Sequence, residues 1–356
     1  MAAIKDLLNK ATGSSPSLPT VPLGKNGPNV TRLGIGLMGL SAFYGTPKPD
    51  EQRLAFLDTL YSEGELFWDS ADMYMDNEDL LGKWFAANPD KRKNIFLATK
   101  FANKTLPDGS RTVDSSPEYA RAACEKSLKR LGVEQIDLYY AHRLDGKTPV
   151  EKTVEALVEL KKEGKIKHIG LSECSADSLR RASKIHHIDA VQIEYSPWAL
   201  DIERPEIALL KACRELGTAV VAYSPIGRGF MSGKYRSVDD FEEGDFRRWA
   251  PRFQGENFAK NLKLVDSITA IAEKKGVTAS QLTLAWLMAQ GDDIIPIPGT
   301  TSVERLRENL GALKVELTEE EKGEIRRISE SAEVAGGRYP EAFASSLFAD
   351  TPPLGA

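Results

Sequence analysis

The sequence predicts an α/β fold, a (β/α)8 or TIM barrel, and three observations support this prediction. From residue 34 onward, short apolar runs alternate with amphipathic stretches of helical period, as in repeated βα units. The apolar runs number eight. Several end in an ionisable side chain, and parallel barrels build their active sites at the carboxyl ends of their strands. An open, doubly wound parallel sheet is the alternative, because the pattern alone does not fix the number of strands.

The predicted strands and helices follow in chain order. The strands begin near residues 33–36, 66–68, 95–98, 136–140, 166–170, 190–193, 219–223 and 294–297. Helical patterns cover residues 51–63, 117–131, 150–163, 176–184 and 203–216, and a further helical run opens after Gly276. Capping signals support several of these helices, such as Ser116 before Pro117 at one start and Gly164 after one end.

Segments outside the eightfold pattern define the predicted domain organisation. Residues 1–18 end in a Gly/Ser/Pro-rich run, which predicts a flexible N-terminal extension. Residues 21–33 form a predicted β-hairpin that turns near Gly27 and plugs the barrel floor. The barrel domain is expected to span residues 19–331. The C-terminal tail, residues 332–356, contains prolines and no helical pattern, and we expect it to lie over the active-site face.

The composition is typical of a globular protein that acts on small molecules. Of the 356 residues, 41% are hydrophobic and the formal net charge is -5, which argues against binding to nucleic acid or to an anionic membrane surface. No stretch is long and apolar enough to span a membrane, and the N-terminus lacks a signal-peptide pattern, so we expect a cytoplasmic protein. The three cysteines are scattered and the histidines show no ligand spacing, so no disulfide or metal site is predicted. The oligomeric state is left open.

Residues 34–39 match the G-x-G-x-x-G pattern of a dinucleotide-binding Rossmann fold, but their context excludes that fold. The fingerprint requires a helix directly after it. Here Gly45, Pro47 and Pro49 follow at once, so no continuous helix can start. We therefore expect the glycines to allow tight packing at a strand end, where the bare backbone at Gly39 can lie close to a ligand.

The predicted catalytic residues are Asp69, Tyr74, Lys100 and His142, at or just past the ends of three successive strands. A tyrosine hydroxyl ordinarily titrates near pH ~10, so a phenol that gives up a proton near neutrality needs a neighbouring cation such as Lys100. A buried Lys100 in turn needs a counter-ion, which Asp69 can supply. His142 is expected to hydrogen-bond the same substrate oxygen and to orient it. Together these groups could donate a proton to a substrate oxygen.

Two loops have the features of an anion site and of a ring-binding site. After the last strand, Thr301 or Ser302 can cap a helix whose free N–H groups attract an anion, and Arg305 lies one turn further on. This arrangement predicts a phosphate pocket, a recurrent feature of barrel enzymes. The loop after the seventh strand begins at Tyr223, which can stack on a planar ring. Arg228 and the backbone amides of that loop can hold a pyrophosphate.

These residues resemble the aldo-keto reductases, and the resemblance runs from about residue 23 to residue 331. The matching stretches are Asp-Ser-Ala-x-x-Tyr at 69–74, Thr-Lys at 99–100, Asp-Leu-Tyr-x-x-His at 137–142, Gly-Leu-Ser at 170–172, Gln-Ile-Glu-Tyr-Ser at 192–196, Tyr-Ser-Pro-x-Gly at 223–227 and Ile-Pro-Gly-Thr at 297–300. The resemblance implies a (β/α)8 barrel that binds NADPH in an extended form. It also implies that Tyr74 is a general acid, tuned by Lys100 and Asp69, with His142 as the orienting group.

Carried over residue by residue, the resemblance also implies a cofactor site. Ser172 and Gln192 would bind the nicotinamide carboxamide, and Tyr223 would stack on the nicotinamide ring. The other cofactor-binding residues would lie at the first strand end, in the loop after Tyr223 and around the adenosine 2'-phosphate. They are Gly39, Ser224, Pro225, Ile226, Gly227, Arg228, Gly233, Lys234, Gly299, Thr300, Thr301, Ser302, Arg305, Glu308 and Asn309.

Two positions depart from the pattern of many family members. Glu173 stands where many members have Asn, which affects one contact to the carboxamide. Gly299 stands where many have Lys, which leaves Arg305 as the main cation near the 2'-phosphate. These variations, together with the stretches 171–175 and 338–343, are similar to a microbial and fungal branch that includes pyridoxal reductases. Pyridoxal is therefore one candidate substrate.

The leading hypothesis is NADPH-dependent reduction of an aldehyde or ketone, with hydride transfer from nicotinamide C4 to the carbonyl carbon of a small-molecule substrate. One alternative is a cofactor-sensing regulatory subunit that resembles the potassium-channel β subunits, because fold alone does not fix function. Another is an alcohol or sugar dehydrogenase that works in the oxidising direction. The complete set of four catalytic residues argues against the regulatory subunit. The substrate pocket is expected to be lined by Phe43, Tyr44, Met73 and either Trp198 or Phe246.

Overall fold

A computed structural model describes residues 17–355, and its centre is a sheet of eight parallel strands. The strands are β1 (Ile35–Gly36), β2 (Phe67–Asp69), β3 (Phe96–Phe101), β4 (Ile136–Ala141), β5 (Ile166–Ser172), β6 (Ala190–Glu194), β7 (Ala219–Tyr223) and β8 (Ile294–Pro296). They are hydrogen-bonded in this order. The Gly34 N–H donates to the Pro296 carbonyl at 2.9 Å, so the first and last strands also meet. The predicted barrel is confirmed, and the open sheet is excluded.

Helices flank the strands on the outside of the barrel. They are α1 (Asp50–Ser62), α2 (Asn77–Ala87), α3 (Pro117–Leu131), α4 (Val150–Lys162), α5 (Ala176–Ile185), α6 (Leu209–Leu216), α7 (Gly255–Lys275), α8 (Ala279–Met288), α9 (Val303–Gly311) and α10 (Glu319–Ser331), with a short turn of helix at Pro89–Arg92. The sequence signals operate as expected at α3. Ser116 accepts a hydrogen bond from the Tyr119 N–H, and Gly132 ends the helix at a φ of 63°.

The predicted N-terminal hairpin covers the floor of the barrel. Its strands, Thr20–Pro22 and Asn29–Thr31, pair antiparallel. Val21, Leu23 and Val30 pack in one buried cluster with inward-facing residues of the barrel strands. These contacts remove the apolar floor of the barrel from water and stabilise the fold.

Loops and the tail form the opposite rim. A short hairpin, Asn103–Thr105 paired with Arg111–Val113, extends from the end of β3 and was not predicted. The loop after β7 contains several short 3-10 turns between Phe230 and Phe253. The tail lies over the active-site face, as predicted, because Ala349 forms a bridge with Cys174 just past β5.

The structure bears on two expectations about local structure, the start of α6 and the G-x-G-x-x-G stretch. The helix predicted over residues 203–216 begins only at Leu209, because Pro205 disfavours helical backbone at Arg204, whose ψ is 138°. The G-x-G-x-x-G stretch forms a strand end and a 3-10 turn, Met38–Leu40, so the rejection of a Rossmann fingerprint is confirmed. The predicted extension, residues 1–18, lies outside the described residues except for its last two. The domain boundaries stay a prediction.

Candidate active site

The four predicted catalytic side chains meet at the carboxyl end of the barrel. Asp69 is the last residue of β2, Lys100 lies in β3, His142 follows β4, and Tyr74 lies in the turn after β2. The Lys100 Nζ donates to Asp69 Oδ1 at 2.5 Å and lies 3.5 Å from the Tyr74 hydroxyl. The Tyr74 and His142 rings pack edge to face, with centroids 5.9 Å apart. Tyr74 and His142, which are 68 residues apart in the sequence, are thereby brought into direct contact.

Burial dominates the titration of this cluster. It raises the pKa of Asp69 and lowers the pKa of Lys100, while the attraction between the two opposes both shifts. Burial and the Asp69 charge raise the pKa of Tyr74 well above its usual value. Burial, with the nearby Arg143 and Lys100 charges, keeps the pKa of His142 well below its usual value. At neutral pH the site therefore presents a protonated phenol and a neutral imidazole.

Gln192, which the resemblance implies binds the nicotinamide carboxamide, also contacts the catalytic cluster. Its Nε2 donates to Asp69 Oδ2 at 2.8 Å, so it holds the carboxylate that pairs with Lys100. The carbonyl of Ser70 also accepts from Lys100 Nζ, at 2.6 Å. The ammonium is thus held by two oxygens beside Tyr74. The carboxamide contact of Gln192 stays a prediction.

A charged network joins the strand ends to the tail. Glu173, one residue past β5, is fully buried and pairs through both carboxylate oxygens with Arg338, at 2.9 and 3.0 Å. The Tyr223 hydroxyl donates to Glu173 at 2.7 Å and lies 3.3 Å from the Tyr339 hydroxyl. This network explains the departure at Glu173, because a buried carboxylate needs a cation and the tail supplies one.

Arg228, predicted to hold a pyrophosphate, points into the protein. Its guanidinium pairs with Glu194 at 3.2 Å and donates to the Arg338 carbonyl at 2.8 Å. It also stacks over the Tyr339 ring. The loop that carries it has left-handed backbone at Ser224 and Arg228, with φ of 47° and 59°, which concentrates strain at the rim.

The segment after β8 forms the predicted helix start. The Ser302 hydroxyl caps α9 by accepting from the Arg305 N–H, and Thr300 Oγ1 accepts from the Ser302 N–H at 3.1 Å. Arg305 is exposed, and within residues 17–355 it has no carboxylate partner. This end of α9 therefore offers free N–H groups and an unpaired cation to an anion.

Gly299 has a structural reason to be glycine. It bridges Gly36 across the seam between β1 and β8, and a Cβ on Gly299 would lie 3.0 Å from the Gly36 carbonyl oxygen. A lysine at this position would crowd the seam. Gly39 lies nearby, because a Cβ there would be 3.8 Å from Thr301 Cγ2.

The remaining predicted cofactor residues separate into two groups. At the strand ends, Ser172 ends β5 and Tyr223 ends β7 as a half-buried ring. Lys234 is exposed and Gly233 packs near Thr269 of α7, so both lie at the outer part of the loop. Pro225, Ile226 and Gly227 follow Tyr223 in the loop after β7, and Glu308 and Asn309 lie on α9.

The expected aromatic pocket is partly corrected. Phe43, Tyr44 and Phe246 are half-buried at the rim, and the Phe246 N–H donates to the Phe43 carbonyl at 3.0 Å. Trp198 is only 2% exposed and packs against Phe230, with ring centroids 4.8 Å apart, so it belongs to the core. Phe246 is thus the better of the two candidates.

Sequence reasoning missed one cation in the site. Arg143 directly follows His142, and its Nη1 donates to the His142 carbonyl at 2.6 Å. Its charge acts on Tyr74, Lys100 and His142. Its position beside a predicted catalytic histidine was the available signal.

Comparison with known proteins identifies the family. The model of the "Aldo/keto reductase family" matches residues 32–330. The chain belongs to the aldo/keto reductase family. The expectation from the sequence is confirmed, and the chain is an enzyme of this family.

Relatives match the aldo/keto reductase over nearly its whole length. The chain is 51% identical to "Aldo-keto reductase yakc [NADP(+)]" of Schizosaccharomyces pombe over 95% of its length and 99% of that protein. It is 48% identical to "Aldo-keto reductase str7" of Strobilurus tenacellus over 95% of this chain and 99% of that protein. It is 45% identical to "Probable aldo-keto reductase 1" of Glycine max, over 94% of this chain and 96% of that protein.

Solved structures share the barrel. The thermostable aldo-keto reductase Tm1743, solved with the inhibitor epalrestat, superposes with a TM-score of 0.70 at 28% identity, over 87% of this chain and 100% of that one. The glycerol dehydrogenase AKR11B4 from Gluconobacter oxydans superposes with a TM-score of 0.78 at 25% identity, over 89% of this chain and 97% of that one. In residues 17–355, no helix of the aldo/keto reductase is long and apolar enough to cross a membrane. In the same residues, no cluster of His, Cys, Asp and Glu could hold a metal ion.

Proposed function

We propose that this aldo/keto reductase uses NADPH to reduce an aldehyde or ketone to the alcohol. The observation that carries the proposal is the buried Tyr74, whose hydroxyl lies 3.5 Å from Lys100 Nζ and whose ring packs edge to face with the His142 ring. This arrangement puts a proton donor and a neutral hydrogen-bonding ring on one substrate oxygen. The name of the fission yeast relative, which includes NADP(+), supports the choice of cofactor.

The residues around the site fit NADPH. The half-buried Tyr223 ring and the strand-end hydroxyl of Ser172 would face the nicotinamide. The capped start of α9, with the exposed and unpaired Arg305, would hold the 2'-phosphate. Arg228 is paired with Glu194, so we assign the pyrophosphate to the backbone of the loop that follows Tyr223. When bound, NADPH supplies the hydride that adds to the carbonyl carbon.

The protein's own groups manage the proton. Tyr74 donates its phenolic proton to the substrate oxygen as negative charge builds there, and the product is the neutral alcohol. Lys100 stabilises the phenolate that this transfer leaves, and Asp69 with Gln192 keeps the ammonium in place. His142 donates a hydrogen bond to the same oxygen. These contacts are stronger in the transition state than in the ground state, because the charge develops only there.

The electrostatics of Tyr74 favour reduction over oxidation. Its raised pKa keeps the hydroxyl protonated at neutral pH, and a protonated phenol is ready to act as an acid. Oxidation of an alcohol would need the phenolate as a base. We therefore place reduction first, with the reverse reaction dependent on the ratio of oxidised to reduced cofactor.

We propose an aromatic or pyridoxal-like aldehyde as the substrate class. The half-buried Phe43, Tyr44 and Phe246 at the rim support this choice, because such rings can pack on a planar substrate.

We also propose that the enzyme works in the cytoplasm. Cys124, Cys174 and Cys213 are free and buried, which supports a reducing compartment.

The test is Tyr74→Phe, assayed by NADPH oxidation with benzaldehyde, pyridoxal and an aliphatic aldehyde. Loss of the proton donor should lower kcat by about 10²- to 10⁴-fold, while the NADPH dissociation constant changes less than about threefold. Tyr61→Phe, on the outer helix α1, is the matched control and should keep full activity. Unchanged turnover in Tyr74→Phe would refute the assignment. NADPH binding without reduction of any carbonyl would favour the regulatory alternative.

A further inference from the structure

Arg143 is half-buried at the carboxyl end of the barrel, here called the mouth, and only Nη1 of its guanidinium forms hydrogen bonds. Its Nη1 donates to the His142 carbonyl at 2.6 Å and lies 3.4 Å from Ser172 Oγ. Within residues 17–355, its Nε and Nη2 groups have no hydrogen-bond partner, and they are not sealed off from the open space of the mouth. The three N–H bonds of Nε and Nη2 are therefore free to donate to a ligand.

The other arginines buried around the mouth are paired. Arg338 has Glu173, Arg228 has Glu194, and Arg247 has Asp245, all within 3.2 Å. No carboxylate of the described chain lies within ion-pair distance of Arg143. An unpaired, partly desolvated cation is costly, which is a reason to expect an anion from outside the chain.

The neighbouring charges do not replace that anion. Glu173 is the acidic group that acts on Arg143, but both of its oxygens are bonded to Arg338. Lys100 is balanced by Asp69. Arg143 consequently keeps an uncompensated positive charge next to Tyr74 and His142.

We propose that Arg143 determines specificity by binding an anionic oxygen, a carboxylate or phenolate, carried by the carbonyl substrate. This inference rests on the proposed reduction and names its substrate class more closely. A guanidinium forms short, charge-assisted hydrogen bonds with such oxygens and can use two donors at once. Because Arg143 follows His142 directly, the anionic oxygen and the carbonyl oxygen would bind side by side.

The 2'-phosphate of the cofactor is a poor candidate for this anion. Arg143 follows β4 and the capped start of α9 follows β8, and these strands lie on opposite sides of an eight-stranded ring. The nicotinamide group itself carries no negative charge in either oxidation state. We therefore assign the anion that Arg143 binds to the substrate, and an unchanged NADPH dissociation constant in Arg143→Met would exclude the pyrophosphate.

The experiment compares acids with their neutral counterparts. The probes are 3-carboxybenzaldehyde with methyl 3-formylbenzoate, phenylglyoxylate with its methyl ester, and 5-nitrosalicylaldehyde, a phenolate at neutral pH, with 2-methoxy-5-nitrobenzaldehyde. The variants are Arg143→Met and Arg143→Lys. Arg111→Met is the control, because Arg111 is an exposed rim arginine on the Asn103–Thr105/Arg111–Val113 hairpin. Steady-state kinetics and NADPH dissociation constants are measured for each protein.

The wild-type enzyme should prefer the anionic member of at least one pair. In Arg143→Met, kcat/KM for that anion should fall by about 10- to 100-fold, mostly through KM, because a charge-assisted hydrogen bond is lost. The neutral partner and the NADPH dissociation constant should change less than about threefold, and Arg143→Lys should recover part of the preference. Arg111→Met should keep the full preference.

Several results would overturn the inference. They are equal rates for both members of every pair in the wild type, a parallel loss for anion and ester in Arg143→Met, weaker NADPH binding that accounts for the loss, or the same loss in Arg111→Met. Reduction of the neutral esters tests the proposed function by itself. A failure of that function is therefore distinct from a failure of the inference.

Discussion

At Tyr74, burial and a neighbouring carboxylate set both the protonation state of the phenol and its expected chemistry. Burial and the Asp69 carboxylate favour the neutral phenol. The ammonium of Lys100 lies 3.5 Å from the hydroxyl, where it can stabilise the phenolate that proton transfer creates. Lys100 therefore contributes little to the resting pKa of the phenol and more to its product. From the sequence, Lys100 is expected to ease deprotonation of the phenol, and its position indicates that it does so in the transition state, where the phenolate forms.

A test at the level of one residue concerns the choice between NADPH and NADH. Arg305→Ala removes the exposed cation at the start of α9, so the dissociation constant for NADPH should rise by about 10- to 100-fold. That for NADH should change little, because NADH lacks the 2'-phosphate. Both constants can be measured by fluorescence titration. Arg307→Ala, on the same helix but paired with Glu63, is the control. Equal effects on both cofactors would contradict the role of Arg305.

Among the elements, the barrel strands were predictable and the tail contacts were not. Each strand is an apolar run with its own signal, and Asp69 and Lys100 could be placed together because adjacent parallel strands end at the same rim. Glu173 and Arg338 are 165 residues apart, and no local pattern relates them. A buried carboxylate in place of the usual amide was nevertheless a hint that a cation must come from elsewhere. The late start of α6 followed from Pro205, a signal present in the sequence.

The tail offers a test at the level of an element. Arg338→Met would leave Glu173 fully buried without its cation, which typically costs about 3–5 kcal/mol. The free energy of unfolding, measured with urea, should fall by an amount of this order. The double variant Glu173→Gln/Arg338→Met should recover part of the loss, because a neutral amide tolerates burial better. If the double variant were less stable than Arg338→Met alone, the charge pair would not be the cause.

Across the whole molecule, the two ends of the barrel are built differently. The mouth is held by buried ion pairs that join β5, β6, the loop after β7 and the tail, as in the pairs of Glu173 and Glu194. The floor is held by the apolar hairpin and also buries acids near the strand starts, among them Glu65, just before β2. The Thr31 hydroxyl donates to Glu65 Oε1 at 2.9 Å, and the Phe67 N–H donates to it at 3.0 Å. The mouth carries the site, and both its ion pairs and the apolar hairpin of the floor contribute to stability.

The floor acid predicts how the stability of the whole protein depends on pH. Burial raises the pKa of Glu65 from 4.5 to about 8. Between these values the folded protein keeps a proton that the unfolded chain has released. Stability should therefore fall as pH rises, by at most about 1.4 kcal/mol per pH unit from this group.

The test is Glu65→Gln, which keeps the Oε1 acceptor but removes the titratable carboxyl group. This variant should be more stable than the wild type at pH 8 and equal to it near pH 4. Urea unfolding at several pH values measures this, with exposed Glu134→Gln as the control. A wild type and a Glu65→Gln variant with parallel pH profiles would show that Glu65 is ionised in the fold.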